Sequence, residues 1–359
     1  MSMNDTNTTT ADYNMTGDND RSNVLVLGAG NFGTSLSFHL ASMNETVKMW
    51  SRDQKVVTSI NEDHVNSKYL TQVTLPDNLS AVGPEMNKQH FKACDVILMS
   101  IPTQHLRNIL AKVKPFVKKR HLLIMANKGI ENSTLDLPCT ILKDCLGETI
   151  ANNAVYLSGP SFAAEIVLKE PTCVAVASKN SERLEWAQRI FHCPHFRVYP
   201  CNDVVGVELA GSIKNVLAIA SGISTGLGYQ SNTRAALLTR GLSEMTRMGV
   251  KMGCDPLTMS GLAGIGDLFL TCTSEKSRNF TVGFKLAKGE SLESITKTLG
   301  SVAEGVATAK SAYELCRKLK VYSPIIDEVY KILYENKDAK EAVNDLLETE
   351  PLHELHMIR

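Results

Sequence analysis

The sequence predicts a two-domain protein, in which an α/β domain with a mostly parallel sheet precedes an all-α domain. Three observations predict this class. Short apolar runs typical of buried strands recur between residues 23 and 199. Stretches of helical periodicity separate most of these runs, which is the pattern of a parallel sheet covered on both faces. After about residue 203 the helical periodicity continues without strand-like runs, which indicates a separate helical domain.

The predicted elements follow in chain order. Strands are predicted at residues 23–27, 46–50, 95–101, 121–126, 154–157, 172–177 and 196–199. Helices of the second domain are predicted at residues 204–219, 235–252, 280–286, 303–319 and 325–335. We therefore expect a first domain at 21–202 and a second at 203–347, with an active site between them. Residues 1–20 are polar and rich in Asn, Asp and Thr, so we expect a disordered tail there, and a short tail at 348–359.

Composition excludes several classes of function. The 38 basic and 38 acidic residues balance, so no general field attracts nucleic acid or acidic membranes. The nine cysteines contain no C-x-x-C pair, which argues against a disulfide framework or a zinc site and for a reducing compartment. No uninterrupted apolar run approaches the ~18–20 residues that cross a bilayer, and no apolar signal core opens the chain. We expect no membrane insertion.

A glycine motif between the first strand and the first helix predicts a dinucleotide site. Gly28, Gly30 and Gly33 form G-x-G-x-x-G directly after the strand at 23–27. The first glycine permits a tight turn, the second lets the backbone approach a pyrophosphate, and the third allows close helix–strand packing. The helix N-terminus then offers free N–H groups and a positive dipole end to the anion. The first domain is therefore predicted to be of the Rossmann type.

The end of the second strand bears on the choice of cofactor. The second strand is followed by Ser51-Arg52-Asp53. At this position an acidic residue usually hydrogen-bonds the free ribose of NAD, whereas hydroxyl and cationic groups bind the 2′-phosphate of NADP. Ser51 and Arg52 suit NADP, whereas Asp53 suits NAD. We expect both cofactors to be usable, with the preference left open.

Two lysines and an arginine are candidates for the chemistry. Lys214 stands in an apolar helical stretch, and a buried ammonium needs a partner or a task; Asp267 could be that partner. Burial can bring such a lysine toward neutrality, so that it donates and accepts a proton. Lys128 follows a parallel strand, where such folds place ligands. Arg278 lies at a predicted helix start, a favourable place for a phosphate.

Eight further stretches, in this order, point to one family. They are Ile101-Pro102-Thr103, Asn127-Lys128-Gly129-Ile130-Glu131, Ser158-Gly159-Pro160-Ser161-Phe162-Ala163, Ile213-Lys214-Asn215-Val216, Gly264-Ile265-Gly266-Asp267-Leu268, Thr271-Cys272-Thr273, Ser277-Arg278-Asn279 and Val302-Ala303-Glu304-Gly305. Over residues 23–347 the chain resembles NAD(P)-dependent glycerol-3-phosphate dehydrogenase, and the bacterial type more than the animal type. The resemblance implies an oxidoreductase that interconverts dihydroxyacetone phosphate and sn-glycerol 3-phosphate for glycerophospholipid synthesis.

The resemblance also implies roles for individual residues. The implied catalytic residues are Lys214, Lys128 and Asp267. The implied cofactor contacts are Gly28, Gly30, Asn31, Phe32, Gly33, Arg52, Lys128, Ala163, Arg278, Val302 and Glu304. The implied substrate contacts are Lys128, Gly159, Ser161, Lys214, Asn215, Asp267, Thr271, Ser277, Arg278 and Asn279. Many bacterial members have His at position 52, so their cofactor preference does not transfer to this chain.

Two other functions are weighed against this one. A β-hydroxyacid dehydrogenase shares the two-domain plan and a catalytic lysine, but it needs carboxylate anchors in place of Ser277-Arg278-Asn279. A non-catalytic nucleotide-sensing module explains the glycine motif but not the two lysines and Asp267. The family implies a cytoplasmic homodimer without a catalytic metal. The His192-Cys193-Pro194-His195 segment is interpreted as a connecting loop rather than a metal site.

Overall fold

The computed structural model describes residues 21–300 and 303–350. The expected tail at 1–20, the predicted cofactor contact Val302 and residues 351–359 lie outside this part. Within it, eight strands form one sheet: β1 (Asn23–Leu27), β2 (Thr46–Trp50), β3 (Leu79–Val82), β4 (Val96–Met99), β5 (Leu122–Met125), β6 (Val155–Ser158), β7 (Thr172–Ala177) and β8 (Phe196–Cys201).

The sheet order is β3-β2-β1-β4-β5-β6-β7-β8, and the β6–β7 pair alone is antiparallel among the described strands. The expectation of a mostly parallel sheet is thus confirmed. Alternate residues of β1 enter two different apolar cores: Val24 and Val26 face one, and Leu25 and Leu27 the other. Both faces are therefore covered, which is why these strands are continuous apolar runs in the sequence.

Helices of the first domain cover the sheet. They are α1 (Asn31–Ser42), α2 (Gln54–Asp63), α3 (Lys88–Ala93), α4 (Thr103–Val113), α5 (Pro138–Leu146), α6 (Glu148–Asn152), α7 (Ala163–Val167) and α8 (Ser181–Phe191). Because parallel strands are joined by helical crossovers, their carboxyl ends and the following loops gather at one edge of the sheet. This edge carries the glycine motif and Lys128.

The second domain is helical throughout its described residues. It contains α9 (Val204–Gly226), α10 (Ser231–Lys251), a 3₁₀ turn (Pro256–Ser260), a π-helical turn (Leu262–Gly266), α11 (Asp267–Thr273), α12 (Arg278–Ala287), α13 (Leu292–Thr298), α14 (Glu304–Leu319), α15 (Pro324–Tyr334) and α16 (Ala339–Glu348). Helix α9 lies at the centre and packs against α10, α11, α12, α14 and α15. The all-α expectation for this domain is confirmed.

Helix α9 departs from the expectation about apolar segments. By length and composition it could cross a membrane, and no other helix in the described ranges is both as long and as apolar. However, 89% of its most apolar stretch is buried inside the molecule. The apolar composition is accounted for by five surrounding helices, which make α9 the core of its domain.

Four elements were not predicted, and the largest difference at the end of a predicted element is in α9. Strand β3 was not predicted because it is short, contains Ser80 and pairs only with β2 at the sheet edge. Helices α11, α13 and α16 were also missed; α11 directly follows the glycine-containing π-helical turn, whose local sequence is typical of a loop. Helix α9 ends at Gly226 rather than at residue 219, because Gly222 and Gly226 lie within it and lower its apparent propensity.

Candidate active site

A cavity of ≈ 260 Å³ lies between the two domains at the carboxyl edge of the sheet. The first domain contributes the start of α1, the ends of β4 and β5, and the loop after β6. The second contributes α9, α11, α12 and α14. The predicted site residues that line the cavity are Asn31, Phe32, Lys128, Ser161, Ala163, Lys214, Asn215, Thr271, Ser277, Arg278, Asn279 and Glu304.

The glycine motif forms a tight turn beneath this cavity. Gly28 has φ +118°, and a Cβ there would lie 2.3 Å from the Ser100 carbonyl oxygen. A Cβ on Gly33 would lie 2.0 Å from the Gly28 carbonyl oxygen, so α1 packs against the turn only without a side chain. A Cβ on Gly30 would meet nothing within 4 Å. Packing therefore does not require a glycine at position 30. The missing side chain instead keeps the space next to the backbone open.

The start of α1 fits a nucleotide pyrophosphate. Gly30 is its N-cap, no side chain caps the helix, and its first turn contains no acidic residue. The first N–H groups are thus left for an anion. Inside the cavity, Glu304 Oε2 is buried and has no hydrogen-bond partner among the described residues. An orphaned buried carboxylate oxygen is costly unless a bound group pairs with it, so these residues fit a dinucleotide.

A buried ion cluster joins the two domains below the cavity. Asp267, which is 1% exposed, accepts from Lys214 Nζ at 2.5 Å through Oδ1 and from Lys128 Nζ at 2.7 Å through Oδ2. Thr271 Oγ1 lies 2.9 Å from Lys214 Nζ, and the Gly159 carbonyl oxygen lies 3.5 Å from Lys128 Nζ. Each ammonium has three donors, so each keeps one donor for a ligand in the cavity.

Burial and charge set the proton affinity of this cluster. Burial lowers the pKa of Lys214 to about 8; Asp267 opposes this shift and the Lys128 ammonium adds to it. Burial alone would raise the pKa of Asp267, but the two lysines outweigh it and hold that pKa below its usual value. Asp267 therefore stays ionised while Lys214 exchanges a proton near neutral pH.

Close packing between helices forms one wall of the cavity. A Cβ on Gly222 would lie 2.0 Å from the Phe280 carbonyl oxygen, and one on Gly283 would lie 2.0 Å from that of Ile219. Helices α9 and α12 can therefore touch backbone to backbone. Asn279 Nδ2 donates to Asn215 Oδ1 at 3.0 Å and its Oδ1 accepts from the backbone N–H of Gly305 at 3.0 Å, which ties α9, α12 and α14 together at the cavity wall.

Arg278 is the first residue of α12 and is the unpaired cation of this wall. Ser277 caps the helix by accepting from the backbone N–H of Phe280. The Arg278 guanidinium donates no hydrogen bond to any residue in the described ranges, although it interacts electrostatically with Glu304. Burial raises the pKa of Glu304 to about 7, against the effect of Arg278 and the two lysines. The guanidinium keeps its donors for an anionic ligand.

Six predicted residues in the described ranges do not line the cavity. Gly28, Gly30 and Gly33 shape the turn, and Asp267 is buried behind the lysines. The Gly159 carbonyl oxygen lies 3.5 Å from Lys128 Nζ and accepts from Ser161 Oγ at 2.8 Å.

Arg52 also lies away from the cavity, exposed at the end of β2, and donates no hydrogen bond to a described residue. The neighbouring Asp53 caps α2 by accepting from the backbone N–H of Lys55 and pairs with Lys68 at 3.3 Å. Asp53 therefore has structural partners that Arg52 lacks.

Several lining residues were not predicted: Leu70, Ser100, Ile101, Ala126, Phe162, Ala164 and Lys276. Ser100, Ile101 and Ala126 follow strands β4 and β5, so the rule that ligands bind at strand ends could have found them. Leu70 comes from the loop before β3, the strand that was not predicted. Lys276 pairs with Glu165 of α7 at 2.7 Å across the domains, a contact without a local sequence signal.

The fold and this cavity define a class of protein. The cavity contains an uncapped helix start that can bind a pyrophosphate, and it also contains a lysine that can exchange a proton. This combination is expected of a nicotinamide-dinucleotide-dependent dehydrogenase. Comparison with known proteins then identifies the family. The chain belongs to the NAD-dependent glycerol-3-phosphate dehydrogenase family, whose N-terminal part matches residues 23–184 and whose C-terminal part matches residues 203–344.

Individual relatives agree with this assignment. The chain is 47% identical over 322 residues to glycerol-3-phosphate dehydrogenase [NAD(P)+] of Leptospira biflexa, covering 90% of this chain and 96% of that protein. The crystal structure of glycerol-3-phosphate dehydrogenase from Coxiella burnetii superimposes with a TM-score of 0.87 at 35% identity, covering 91% and 99%. The Saccharomyces cerevisiae enzyme gives 0.74 at 28% identity, covering 92% and 100%. The chain is thus an NAD(P)-dependent oxidoreductase nearer to these bacterial enzymes than to the yeast enzyme.

Proposed function

We propose that this chain reduces dihydroxyacetone phosphate to sn-glycerol 3-phosphate, and catalyses the reverse, with Lys214 as the proton-transfer group and Arg278 as the phosphate anchor. The observation that carries this proposal is the Lys214–Asp267–Lys128 cluster, which bears a net positive charge at the base of the cavity that Arg278 borders. A carbonyl that becomes an alkoxide and a phosphate dianion both need such positive groups.

Each residue has a proposed task. The bound cofactor supplies or accepts the hydride. The Lys214 ammonium donates a proton to the developing alkoxide, and the neutral amine removes that proton in the reverse direction. Lys128 stabilises the same oxygen with its remaining donor. Arg278, with Ser277 and Asn279 at the α12 start, binds the phosphate, whereas Ser161, Asn215 and Thr271 orient the substrate and the lysine.

The cofactor contacts form a second part of the proposal. The α1 start, from Gly30 to Gly33, binds the pyrophosphate beside Phe32 and Ala163, and Glu304 hydrogen-bonds a polar group of the nucleotide. We infer that NAD and NADP are both accepted and that Arg52 binds the 2′-phosphate. Arg52→Asp should then weaken NADPH binding selectively, whereas Arg189→Asp on the surface of α8 should weaken neither. Equal losses for NADH and NADPH would contradict this role of Arg52.

One experiment tests the substrate. NADH consumption is followed with dihydroxyacetone phosphate, with dihydroxyacetone, and with a β-keto acid, using the full chain and Arg278→Ala. A charge-assisted hydrogen bond contributes ~1.5–3 kcal/mol, so Arg278→Ala should lower kcat/KM for the phosphorylated ketone by roughly 10- to 150-fold. Arg278→Lys should restore part of it, because an ammonium lacks the planar fork.

Dihydroxyacetone is the internal control for that experiment. It should be a poor substrate of the parent and lose little in Arg278→Ala. Equal proportional losses for both ketones would contradict a phosphate anchor and favour a role for Arg278 in holding cofactor or fold. Efficient turnover of the β-keto acid would support the β-hydroxyacid dehydrogenase alternative, and binding of NADH without turnover of any substrate would support the nucleotide-sensing one.

The biological setting is proposed on the family resemblance. We infer a cytoplasmic homodimer that supplies glycerol 3-phosphate for glycerophospholipid synthesis. The division at residues 202/203, between the end of β8 and the start of α9, and the tail at 348–359 are likewise proposals. Among the described residues of the helical domain, five large apolar side chains are exposed and would be available to a second copy of the chain: Val250, Leu257, Phe269, Tyr334 and Leu347. Light scattering on the full chain measures the mass, and a monomer at micromolar concentration would contradict it.

A further inference from the structure

Three side chains with nitrogen or sulfur donors meet at the far end of α1 from the active site. His39 lies in the last turns of α1, whereas Cys193 and His195 lie in the turn between α8 and β8. One ligand atom from each residue lies within 4.8 Å of the other two. Cys193 Sγ is 3.4 Å from His195 Nδ1. At 1.5 Å per residue, His39 is roughly 10–12 Å along α1 from Asn31 and Phe32, so the cluster is separate from the cavity.

The surrounding structure holds these donors in place. Cys193 and Phe196 exchange two backbone hydrogen bonds, of 3.0 and 3.1 Å, across the tight turn that contains Pro194. His39 stacks on Phe196 with ring centroids 4.2 Å apart. The turn that carries two of the donors is therefore packed directly against the helix that carries the third.

The hydrogen bond of His39 leaves its other nitrogen available. Nε2 lies 2.7 Å from the Phe191 carbonyl oxygen, which can only accept, so Nε2 carries the proton and Nδ1 keeps its lone pair in the neutral ring. A backbone carbonyl behind the ring is the usual partner of a metal-binding imidazole. His39 and Cys193 are buried, at 2% and 7% exposure, whereas His195 is only partly buried and provides an approach from solvent.

We propose that His39, Cys193 and His195 form a binding site for a zinc-class divalent cation that clamps α1 to the α8–β8 turn. Two imidazoles and one thiolate select zinc or copper over magnesium and calcium, which prefer oxygen. Tetrahedral zinc, with bonds of about 2.0–2.1 Å to nitrogen and 2.3 Å to sulfur, places neighbouring ligand atoms ~3.3–3.6 Å apart. The Cys193–His195 pair already has this separation. The other donor pairs, which lie within 4.8 Å, must close by at most about 1.5 Å.

Charge and proton balance are consistent with this site. The Cys193 thiol loses its proton to solvent as the metal–sulfur bond forms, and the thiolate offsets one of the two positive charges of the ion. Lys169 is close enough to act electrostatically on His39, so it opposes the ion and makes that thiolate necessary. With three protein ligands, water completes the tetrahedron. None of the three residues lines the active-site cavity, so the site stabilises the first domain and takes no part in hydride transfer.

Zinc titration of the full chain in metal-free buffer tests the proposal. We expect one Zn²⁺ bound per chain by calorimetry, a melting temperature that rises with Zn²⁺ and not with Mg²⁺, and a thiolate-to-metal charge-transfer band with Co²⁺. Cys193→Ser should abolish that band and weaken zinc binding by at least about 100-fold, because the thiolate is the only anionic ligand. His195→Asn, at the partly exposed position, should weaken binding while perturbing the buried packing less.

Matched variants act as controls for the zinc titration. Cys254→Ser changes a cysteine that is also 7% exposed and should leave zinc binding unchanged. The double variant His353→Gln/His356→Gln removes the two histidines near the C-terminus and should also leave it unchanged. No zinc binding by the parent, or binding that persists in Cys193→Ser and His195→Asn, would overturn the proposal. Turnover of dihydroxyacetone phosphate should be the same with and without zinc. The result of the zinc titration therefore does not depend on whether the proposed function is correct.

Discussion

At the residue scale, the proposed chemistry depends on two lysines that share one carboxylate. Lys214 is 7% exposed and Asp267 1% exposed, so water screens their interaction little. A lone ammonium in this setting would be costly, and a fully paired one would be inert. Because Asp267 also binds Lys128, neither lysine is fully neutralised. The shared carboxylate thus stabilises Lys214 in the interior and leaves it able to exchange a proton.

Replacement of Lys214 tests its role directly. Lys214→Ala should lower kcat by roughly 10²–10⁴-fold, the usual loss when a general acid–base group is removed, while the dissociation constant for NADH changes little. Stopped-flow turnover and fluorescence titration measure the two quantities. Near-normal turnover in a folded variant would remove Lys214 from the mechanism.

The pH dependence has opposite signs in the two directions. The pKa of Lys214 is about 8, so the ammonium predominates below that pH and the amine above it. Dihydroxyacetone phosphate reduction, which needs the ammonium, should decline as pH rises through about 8. Glycerol 3-phosphate oxidation, which needs the amine, should rise through the same pH. Rate profiles in both directions measure this, with Lys214→Ala as the control that lacks the transition; parallel profiles in both directions would contradict the assignment.

At the element scale, the first β-strand, glycine turn and helix combine two separate requirements. Gly33 allows α1 to pack on the turn, because a Cβ would meet the Gly28 carbonyl oxygen at 2.0 Å. Gly30 faces open space and has an ordinary φ of −77°. The sequence motif does not distinguish these two glycines. In the structure, Gly33 is required for packing, whereas Gly30 borders open space that we propose the pyrophosphate occupies.

A pair of alanine variants distinguishes these roles. Gly30→Ala should leave the melting temperature unchanged but weaken NADH binding by roughly tenfold or more, about 1.4 kcal/mol, because the methyl group occupies the space of the pyrophosphate. Gly33→Ala should lower the melting temperature by several degrees, since the backbone must shift. Thermal melts with and without NADH measure both. A Gly30→Ala protein that binds NADH normally would show that no ligand approaches this backbone.

At the scale of the whole molecule, the ion cluster that we propose for the chemistry also connects the two domains. Lys128 follows β5 in the first domain, whereas Lys214 and Asp267 belong to the helical domain. The backbone N–H of Gly129 also donates to Ser212 Oγ of α9 at 2.9 Å. The first domain therefore contacts α9 at the residues for which we propose a role in catalysis, so domain packing and the proposed chemistry depend on the same contacts.

Asp267→Asn separates the charge of this cluster from its shape. Loss of one partner of a buried ion pair typically costs ~3–5 kcal/mol, so the urea midpoint should fall. Without the carboxylate, the pKa of Lys214 should fall further, which moves the rise in glycerol 3-phosphate oxidation to lower pH. A less stable protein with the parental pH profile would show that Asp267 only supports the fold. A stable protein with the parental profile would remove Asp267 from both roles.

The sequence by itself determined the fold class and much of the site. Apolar strands with helices between them indicated a parallel sheet, because burial on both faces removes polar residues from the strands. The glycine motif indicated the turn after β1 as the candidate cofactor turn. The resemblance carried by the family motifs indicated Lys128, Lys214 and Arg278, and all three line the cavity. Edge strand β3 and helix α11 were missed, since short elements are selected by tertiary neighbours more than by local propensity.

Only the tertiary structure decided which distant residues meet. No spacing along the chain relates Lys128 to Asp267, and only the packing of the first domain on the helical domain brings these residues together. The same holds for His39, which lies more than 150 residues before Cys193 and His195. From the sequence, the His192-Cys193-Pro194-His195 segment was interpreted as a connecting loop because it contains Pro194. The third donor, His39, lies on another helix, and only the structure shows that it is near. Periodicity reports which face of an element is buried, whereas contacts between elements depend on how those faces pack in three dimensions.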